Sequence, residues 1–275
     1  MLPAPARLVA IGDVHGDLDA FEAALRAAGA IDANARWIGG GLVVVQTGDM
    51  LDRGDQERTI LDLVERLATE ALAAGGRMLA LNGNHEIMNA EGQFQYVTPG
   101  GYADFDSFAH DAPADDSVPA RLRGRVLAFR PGGPYARVLA THDTIVLVGD
   151  TLFVHGGALA RDLEGGLDAI NDAARAFLLG DAPIASVLVA ADGPLWYRGF
   201  ARPDDPDLCA RLGEALAVVH ATRMVVGHTV QEHGINSACD ERVWRIDVGL
   251  ARLYGGPIEV LEITSEGVHV VRGER

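Results

Sequence analysis

Five short polar motifs, each set directly behind an apolar run, constrain this chain more than any other feature. They are Gly12-Asp13-Val14-His15-Gly16, Gly48-Asp49-Met50-Leu51-Asp52-Arg53-Gly54, Gly83-Asn84-His85-Glu86, His155-Gly156-Gly157 and Gly227-His228-Thr229. The runs before them are Leu8-Val9-Ala10-Ile11, Leu42-Val43-Val44-Val45, Met78-Leu79-Ala80-Leu81, Thr151-Leu152-Phe153-Val154 and Met224-Val225-Val226. Short apolar runs of this kind, rich in β-branched residues, read as buried strands. Ligands of open α/β sheets gather at the carboxyl ends of strands. Five groups of metal-capable side chains just past five strand ends therefore predict one shared site that holds two metal ions and hydrolyses its substrate.

The segments between the first three runs have helical spacing. Leu18, Phe21, Leu25 and Ala28 fall three, four and three apart, with Asp17 placed to cap the start and Gly29 to end the helix. Ile60, Val64, Leu67 and Ala71 mark a second helix that Gly75-Gly76 stops. This βαβαβ order favours parallel strands with helices outside. From about Glu91 to Asp143 the pattern breaks into Gly, Pro, Asp and aromatic residues. A segment that long is more than a connection, and it reads as a cap-like insertion beside the site, built of short helices. Helical patterns return near Leu163–Leu179 and Asp207–Ala221, and Val243–Val248, Ile258–Ile263 and Val268–Val271 read as a closing antiparallel meander. No repeat or linker divides the chain, so residues 1–275 read as a single domain, and 275 residues at 48% hydrophobic content suffice for one large core.

The residue types say what the site can hold. Asp13 and His15 are two apart, and on extended chain they point the same way. Asp49 has two carboxylate oxygens and can bridge two ions. Asn84, His155 and His228 add an amide oxygen and two imidazoles for a second ion. This mixture of oxygen and nitrogen suits Mn²⁺, Fe or Zn²⁺ better than Ca²⁺. Two such ions clamp a phosphoryl group and lower the pKa of a bound water. Arg53 can bind phosphate oxygens as a fork. His85 adjoins Asn84, and Asp52 lies three residues beyond Asp49. An imidazole kept protonated by a carboxylate makes a general acid for the leaving oxygen. His110, His142, His220, His233 and His269 lack this context and read as surface or packing residues.

Composition excludes other classes. The net charge is −16, no lysine is present, and the 23 arginines are scattered. Nucleic-acid binding needs a basic stripe, which is absent. No apolar stretch approaches a membrane span, and residues 1–7 lack the pattern of an export signal. Cys209 and Cys239 have no metal-binding spacing and read as reduced thiols in a cytoplasmic setting, with one disulfide as the alternative.

The motif series resembles the phosphoprotein phosphatase superfamily of metallophosphoesterases. Gly12–Gly16, Gly48–Gly54 and Gly83–Glu86 match its three-part signature, and His155 and His228 match its later metal histidines. The resemblance implies an α/β fold with a central β-sandwich flanked by helices, which replaces the plain parallel sheet. It also implies two metal ions and direct attack of a metal-bridging hydroxide on phosphorus, without a phosphoenzyme. Gly193-Pro194-Leu195-Trp196-Tyr197-Arg198-Gly199 stands where eukaryotic serine/threonine members carry a Trp-containing loop and a second phosphate-binding Arg, which makes Arg198 the candidate. Phe129–Pro134, Gly149–His155 and Val243–Leu250 are similar to the Shewanella-like phosphatases, among which are protein phosphatases with a leaning to phosphotyrosine. Asn82 stands where many members place Arg. Asp247 reads either as a residue that orients a ligand or as a turn Asp. The expected activity is hydrolysis of phosphomonoesters on phosphoproteins or small molecules. Its rivals are a dinucleoside polyphosphate hydrolase and a scaffold without activity.

Overall fold

In the computed structural model, which describes residues 1–110, 118–202 and 205–275, two mixed five-stranded sheets stack face to face between helices. Along the chain, β1 (Arg7–Ile11), α1 (Leu18–Ala27), β2 (Val43–Gln46), α2 (Glu57–Ala73) and β3 (Arg77–Ala80) alternate as expected. Short helices follow: α3 (Asn84–Ala90), α4 (Pro99–Ala103), α5 (Ser107–His110), α6 (Ala120–Phe129) and α7 (Pro134–Leu139). The second half holds β4 (Ile145–Val148), β5 (Thr151–Val154), α8 (Ala160–Leu163), α9 (Leu167–Leu179), α10 (Ser186–Val189), α11 (Leu208–Val219) and β6 (Arg223–Val226). It ends with β7 (Asn236–Ala238), β8 (Val243–Arg245), β9 (Glu259–Thr264) and β10 (Gly267–Arg272).

The sandwich follows from strand alternation. Leu8 and Ala10 of β1 join Val146, Phe153, Val225 and Trp244 in a core between the sheets, whereas Val9 and Ile11 face the helices. Both faces of these strands are buried, which is why the runs are continuously apolar rather than alternating. One sheet has the order β10-β9-β1-β2-β3 and the other β4-β5-β6-β8-β7. β1, β2 and β3 are parallel in the first, and β5, β6 and β8 in the second. The carboxyl ends of β1, β2, β3, β5 and β6 carry the five motifs.

Local signals behave as the sequence implies. Asp17 accepts the Ala20 N–H at 3.1 Å to cap α1, and Gly29 and Gly75 take positive φ just past α1 and α2. The stretch from about 91 to 143 forms short helices, and residues 111–117 of it lie outside the described residues. Two expectations change. The closing segments are not one meander: β9 and β10 form an antiparallel hairpin on β1, but β8 sits in the other sheet, parallel to β6 and antiparallel to β7. Periodicity identifies a strand without naming its neighbour, and residues 246–258 carry the chain from one sheet to the other. The cysteines are also not free. Cys209 near the start of α11 and Cys239 after β7 form a disulfide with Cα atoms 5.4 Å apart. The cytoplasmic expectation rested in part on reduced thiols and loses that support.

Candidate metal centre and phosphate site

The first two motifs interlock through backbone. Val14 and His15 both donate to the Asp49 carbonyl, at 3.0 and 2.9 Å. His15, Asp49, Asp52, Arg53 and His228 all have positive φ, between 47° and 68°. Non-glycine residues adopt this region rarely, and it is over-represented where function dictates the backbone. It also corrects the extended-chain argument: Asp13 and His15 converge because the chain turns left-handed at His15, not because of the strand pleat. Two glycines let carboxylates lie against backbone. A Cβ on Gly83 would stand 2.2 Å from Asp49 Oδ1, and one on Gly227 2.5 Å from Asp13 Oδ1.

The side chains present acceptors to one another, which is the arrangement a cation resolves. His155 Nδ1 lies 3.0 Å from the Thr47 carbonyl and can only donate there. In a neutral ring Nε2 is then a bare lone pair. Yet Nε2 faces Asn84 Oδ1 at 2.9 Å, His228 Nδ1 at 3.1 Å and Asp49 Oδ2 at 3.3 Å. His15 repeats the pattern: Nδ1 lies 2.9 Å from the Leu51 carbonyl, and Nε2 lies 3.9 Å from Asp49 Oδ2 and 4.0 Å from Asp13 Oδ2. Backbone carbonyls thus fix the tautomers of two imidazoles so that Nε2 points inward with its lone pair open to a metal. Asp49 Oδ2 is common to both groups. One comprises His15, Asp49 and His85, the other Asp49, His155 and His228, with ligand atoms within 4.8 Å of one another. Asp13, expected as a ligand, lies beside both and accepts the His228 N–H at 3.1 Å. The residues fit two divalent cations.

Electrostatics agree. Burial lowers the pKa of His15 to about 4 and that of His228 to about 2, so both present lone pairs at neutral pH. Burial, then Asp247 and Asp49, raise Asp13 well above the carboxylate range, and burial pushes Asp247 up to about 6. Burial would raise Asp49 too, but His155, His85 and His15 outweigh it and hold that carboxyl well below its ordinary value. Acidic groups crowded in a dry site await positive charge.

A cavity of about 310 Å³ opens over these groups, with Arg53 and Arg198 both in its wall. Arg53 is gripped between the rings of Tyr96 and Tyr254, at 5.0 and 5.4 Å from their centroids. Arg198 is tied to the fifth motif, donating to the His228 carbonyl at 2.7 Å and Thr229 Oγ1 at 3.0 Å. Its segment is fixed by the fourth motif, where Gly156 N donates to the Pro194 carbonyl at 2.8 Å. His85 Nδ1 meets Asp52 Oδ2 at 2.5 Å, and its Nε2 faces the cavity 3.3 Å from Arg53 Nη2 and 3.8 Å from Asp49 Oδ2. Burial lowers the pKa of His85, but Asp49 and Asp52 more than offset it, and the net shift is upward.

All the expected site residues therefore converge. Asp247 also joins them, lining the cavity. Asn82 does not: its amide donates to the Leu139 and His142 carbonyls, away from the cavity. Sequence reasoning missed three groups. Glu86 accepts four backbone N–H groups, from Gly83, Asp49, Met50 and Leu51 at 2.7 to 3.2 Å. Its place at the third position of α3 was a signal, since a Glu there commonly reaches back to cap. Tyr96 and Tyr254 at the mouth, and Arg125 behind Asp52, gave none, being single residues in irregular or distant segments.

Comparison with known proteins accords with this geometry. Residues 6–232 match the calcineurin-like phosphoesterase family. The chain is 40% identical over 303 residues to Shewanella-like protein phosphatase 2 of Arabidopsis thaliana, covering 97% of this chain and 78% of that one. It is 30% identical over 278 residues to Shewanella-like protein phosphatase 1 of Plasmodium berghei, covering 97% and 74%. The crystal structure of a cold-active protein-tyrosine phosphatase from a psychrophilic Shewanella superposes with a TM-score of 0.80 at 25% identity, over 98% of this chain and 82% of that one.

Proposed function

The chain belongs to the calcineurin-like metallophosphoesterase family and is a phosphoric monoester hydrolase; from that premise we propose that it dephosphorylates phosphoproteins, phosphotyrosine among them. The observation that carries the reading is the cavity in which Arg53 and Arg198 flank the Asp, His and Asn cluster beneath an aromatic rim. Two divalent ions held by Asp13, His15, Asp49, Asn84, His155 and His228, with Mn²⁺ the best match to this donor set, would supply an activated water and neutralise phosphoryl charge. The chain's own residues do the rest. Arg53 and Arg198 each offer a planar fork to the phosphate oxygens. Asn84 lines the same cavity, and its amide adds a further donor for the phosphate oxygens. His85 delivers a proton from Nε2 to the leaving oxygen, and Asp52 at Nδ1 holds the ring and its charge. Tyr96, Tyr254 and Trp196 at the cavity wall suit an aromatic leaving side chain, which favours phosphotyrosine.

The test is turnover by Mn²⁺-loaded protein on phosphotyrosine and phosphoserine peptides beside diadenosine tetraphosphate. Release of phosphate from the peptides, faster for phosphotyrosine, is the expected result. Faster cleavage of the dinucleotide would overturn the substrate class, and no turnover of any ester with metal bound would leave a scaffold.

A further inference from the structure

Behind Asp52 lies a buried ion network that the reaction described above does not use. Arg125, from α6, is fully buried, as are Asp52, Glu57 and Asn89 around it. Its Nη2 donates to Asp52 Oδ1 at 3.2 Å, its Nε to Asn89 Oδ1 at 2.7 Å, and its Nη1 to the Gly101 carbonyl at 2.9 Å and to Glu57 Oε2. Glu57 closes the circuit by accepting the Asp52 N–H at 2.7 Å, and Asn89 donates to Asp52 Oδ1 at 3.1 Å. The rings of Phe105 and Phe129 pack on the guanidinium, 5.3 and 5.0 Å away.

We propose that Arg125 is a positioning residue for phosphoryl transfer: it fixes the plane of the Asp52 carboxylate and through it the aim of His85. This rests on His85 acting as the acid. Asp52 has two oxygens, and Oδ2 is spent on His85 at 2.5 Å. Only what grips Oδ1 can stop the carboxylate from rotating, and the grip comes from Arg125 and Asn89. A guanidinium with Asp52, Glu57 and Asn89 on separate nitrogens cannot turn without breaking several bonds, so its geometry passes to Asp52. The residue sits in the segment that looked like an insertion, so α6 becomes part of the machinery rather than a cover. Burying a guanidinium is expensive, and well-packed apolar residues often hold a core as firmly. The fold bears that expense where the carboxylate holding the acid needs a fixed orientation.

The readout is the leaving group, because a poor one needs the proton and a good one hardly does. Arg125→Lys keeps the charge but loses the fork. With metal content unchanged, it should lower kcat on phenyl phosphate about 10-fold or more and on p-nitrophenyl phosphate by under about 3-fold, the former being part of the ~10²–10⁴-fold that a general acid contributes. Combined with Asp52→Asn it should add little further loss, since both act on one orientation. If Arg125→Lys does not fold, Arg125→Met with Glu57→Gln removes one cation and one anion together and carries the same readout. Equal losses on both esters, or no loss, would show a purely structural Arg125 and overturn the proposal. His85→Asn run alongside separates the two ideas: if it shows no leaving-group bias, the assignment of the acid itself is wrong.

Discussion

Gly83→Ala isolates the demand that the site places on its backbone. Gly83 has φ −93° and ψ −173°, a conformation open to alanine, so no backbone strain enters. The whole effect is steric. The new Cβ would stand 2.2 Å from Asp49 Oδ1 and 2.6 Å from Asp49 N, where ordinary contact begins at 3.4 Å. Asp49 must therefore retreat about 1.2 Å (3.4 − 2.2), yet its Oδ1 also accepts the His85 N–H at 3.0 Å. Overpacking of this size costs roughly 1–3 kcal/mol, which lowers Tm by a few degrees and leaves the fold standing. Activity should suffer far more. Asp49 Oδ2 faces His15 and His85 of one metal group and His155 of the other, and a misplacement near 1 Å in a reacting constellation costs on the order of 10²-fold. The assays are kcat on p-nitrophenyl phosphate, bound metal by elemental analysis, and Tm. Gly165→Ala is the control, because its Cβ meets nothing nearer than Ala169 Cβ at 3.6 Å. Wild-type kcat and two bound ions in Gly83→Ala would refute the claim that Asp49 bridges from this position.

Arg53→Ala and Arg198→Ala should each lower kcat/KM about 10- to 100-fold through lost charge-assisted bonds to phosphate, with metal content intact; wild-type kinetics in either would reassign that fork. Metal removal by EDTA should abolish turnover, and Mn²⁺ should restore it. The stabilisation by Mn²⁺ should also depend on pH. The folded pKa of Asp247, about 6, exceeds its unfolded 3.8, so in metal-free protein it contributes stability that is full below 3.8 and lost as pH rises through 6, about 3 kcal/mol in all. The cation relieves that loss, so Mn²⁺ should raise Tm more near pH 7.5 than near pH 5; a gain independent of pH would contradict it. The disulfide closes a separation of 30 residues, for which loop entropy gives ~3–4 kcal/mol. Dithiothreitol, or Cys209→Ser, should lower Tm by several degrees, and an unchanged Tm would show that the link adds no stability.

Much of this was legible in the sequence because strand ends are local. An apolar run followed by Gly-Asp or Gly-Asn-His says where a ligand is placed without any knowledge of the partner strand. Asp13, Asp49, Asn84, His155 and His228 come together because parallel strands carry their ends to the same edge of the sandwich. What stayed hidden depends on contacts between segments far apart in the chain. Arg125 meets Asp52 across 73 residues, and neither neighbour sequence announces it. Tyr254 reaches Arg53 from the crossing between sheets, and β8 chose β6 over β9 for packing reasons that period-two alternation does not encode. The cysteines failed for the same reason: 30 residues of separation say nothing about two Cα atoms 5.4 Å apart.

The left-handed residues explain why so many carboxylates sit behind the site as well as in it. His15, Asp49, Asp52, Arg53 and His228 all carry positive φ, at roughly 1 kcal/mol or more each. Five such residues cost on the order of 5 kcal/mol, a large share of the net stability of a domain. Local preference cannot hold them there, so other bonds must. Glu86 takes the N–H groups of Asp49, Met50 and Leu51, and Glu57 takes that of Asp52. Tyr96 offers its carbonyl to Arg53 N at 2.9 Å, Asp49 offers its own to His15 N, and Asp13 receives His228 N. Each strained residue thus has its amide fixed by an acceptor from another segment. Released from those acceptors, the turns would relax toward ordinary backbone and the side chains would swing out of register. For Asp49, Asp52 and His228 that acceptor is a carboxylate, so carboxylates in and behind the site hold these residues in a conformation the chain would not otherwise keep.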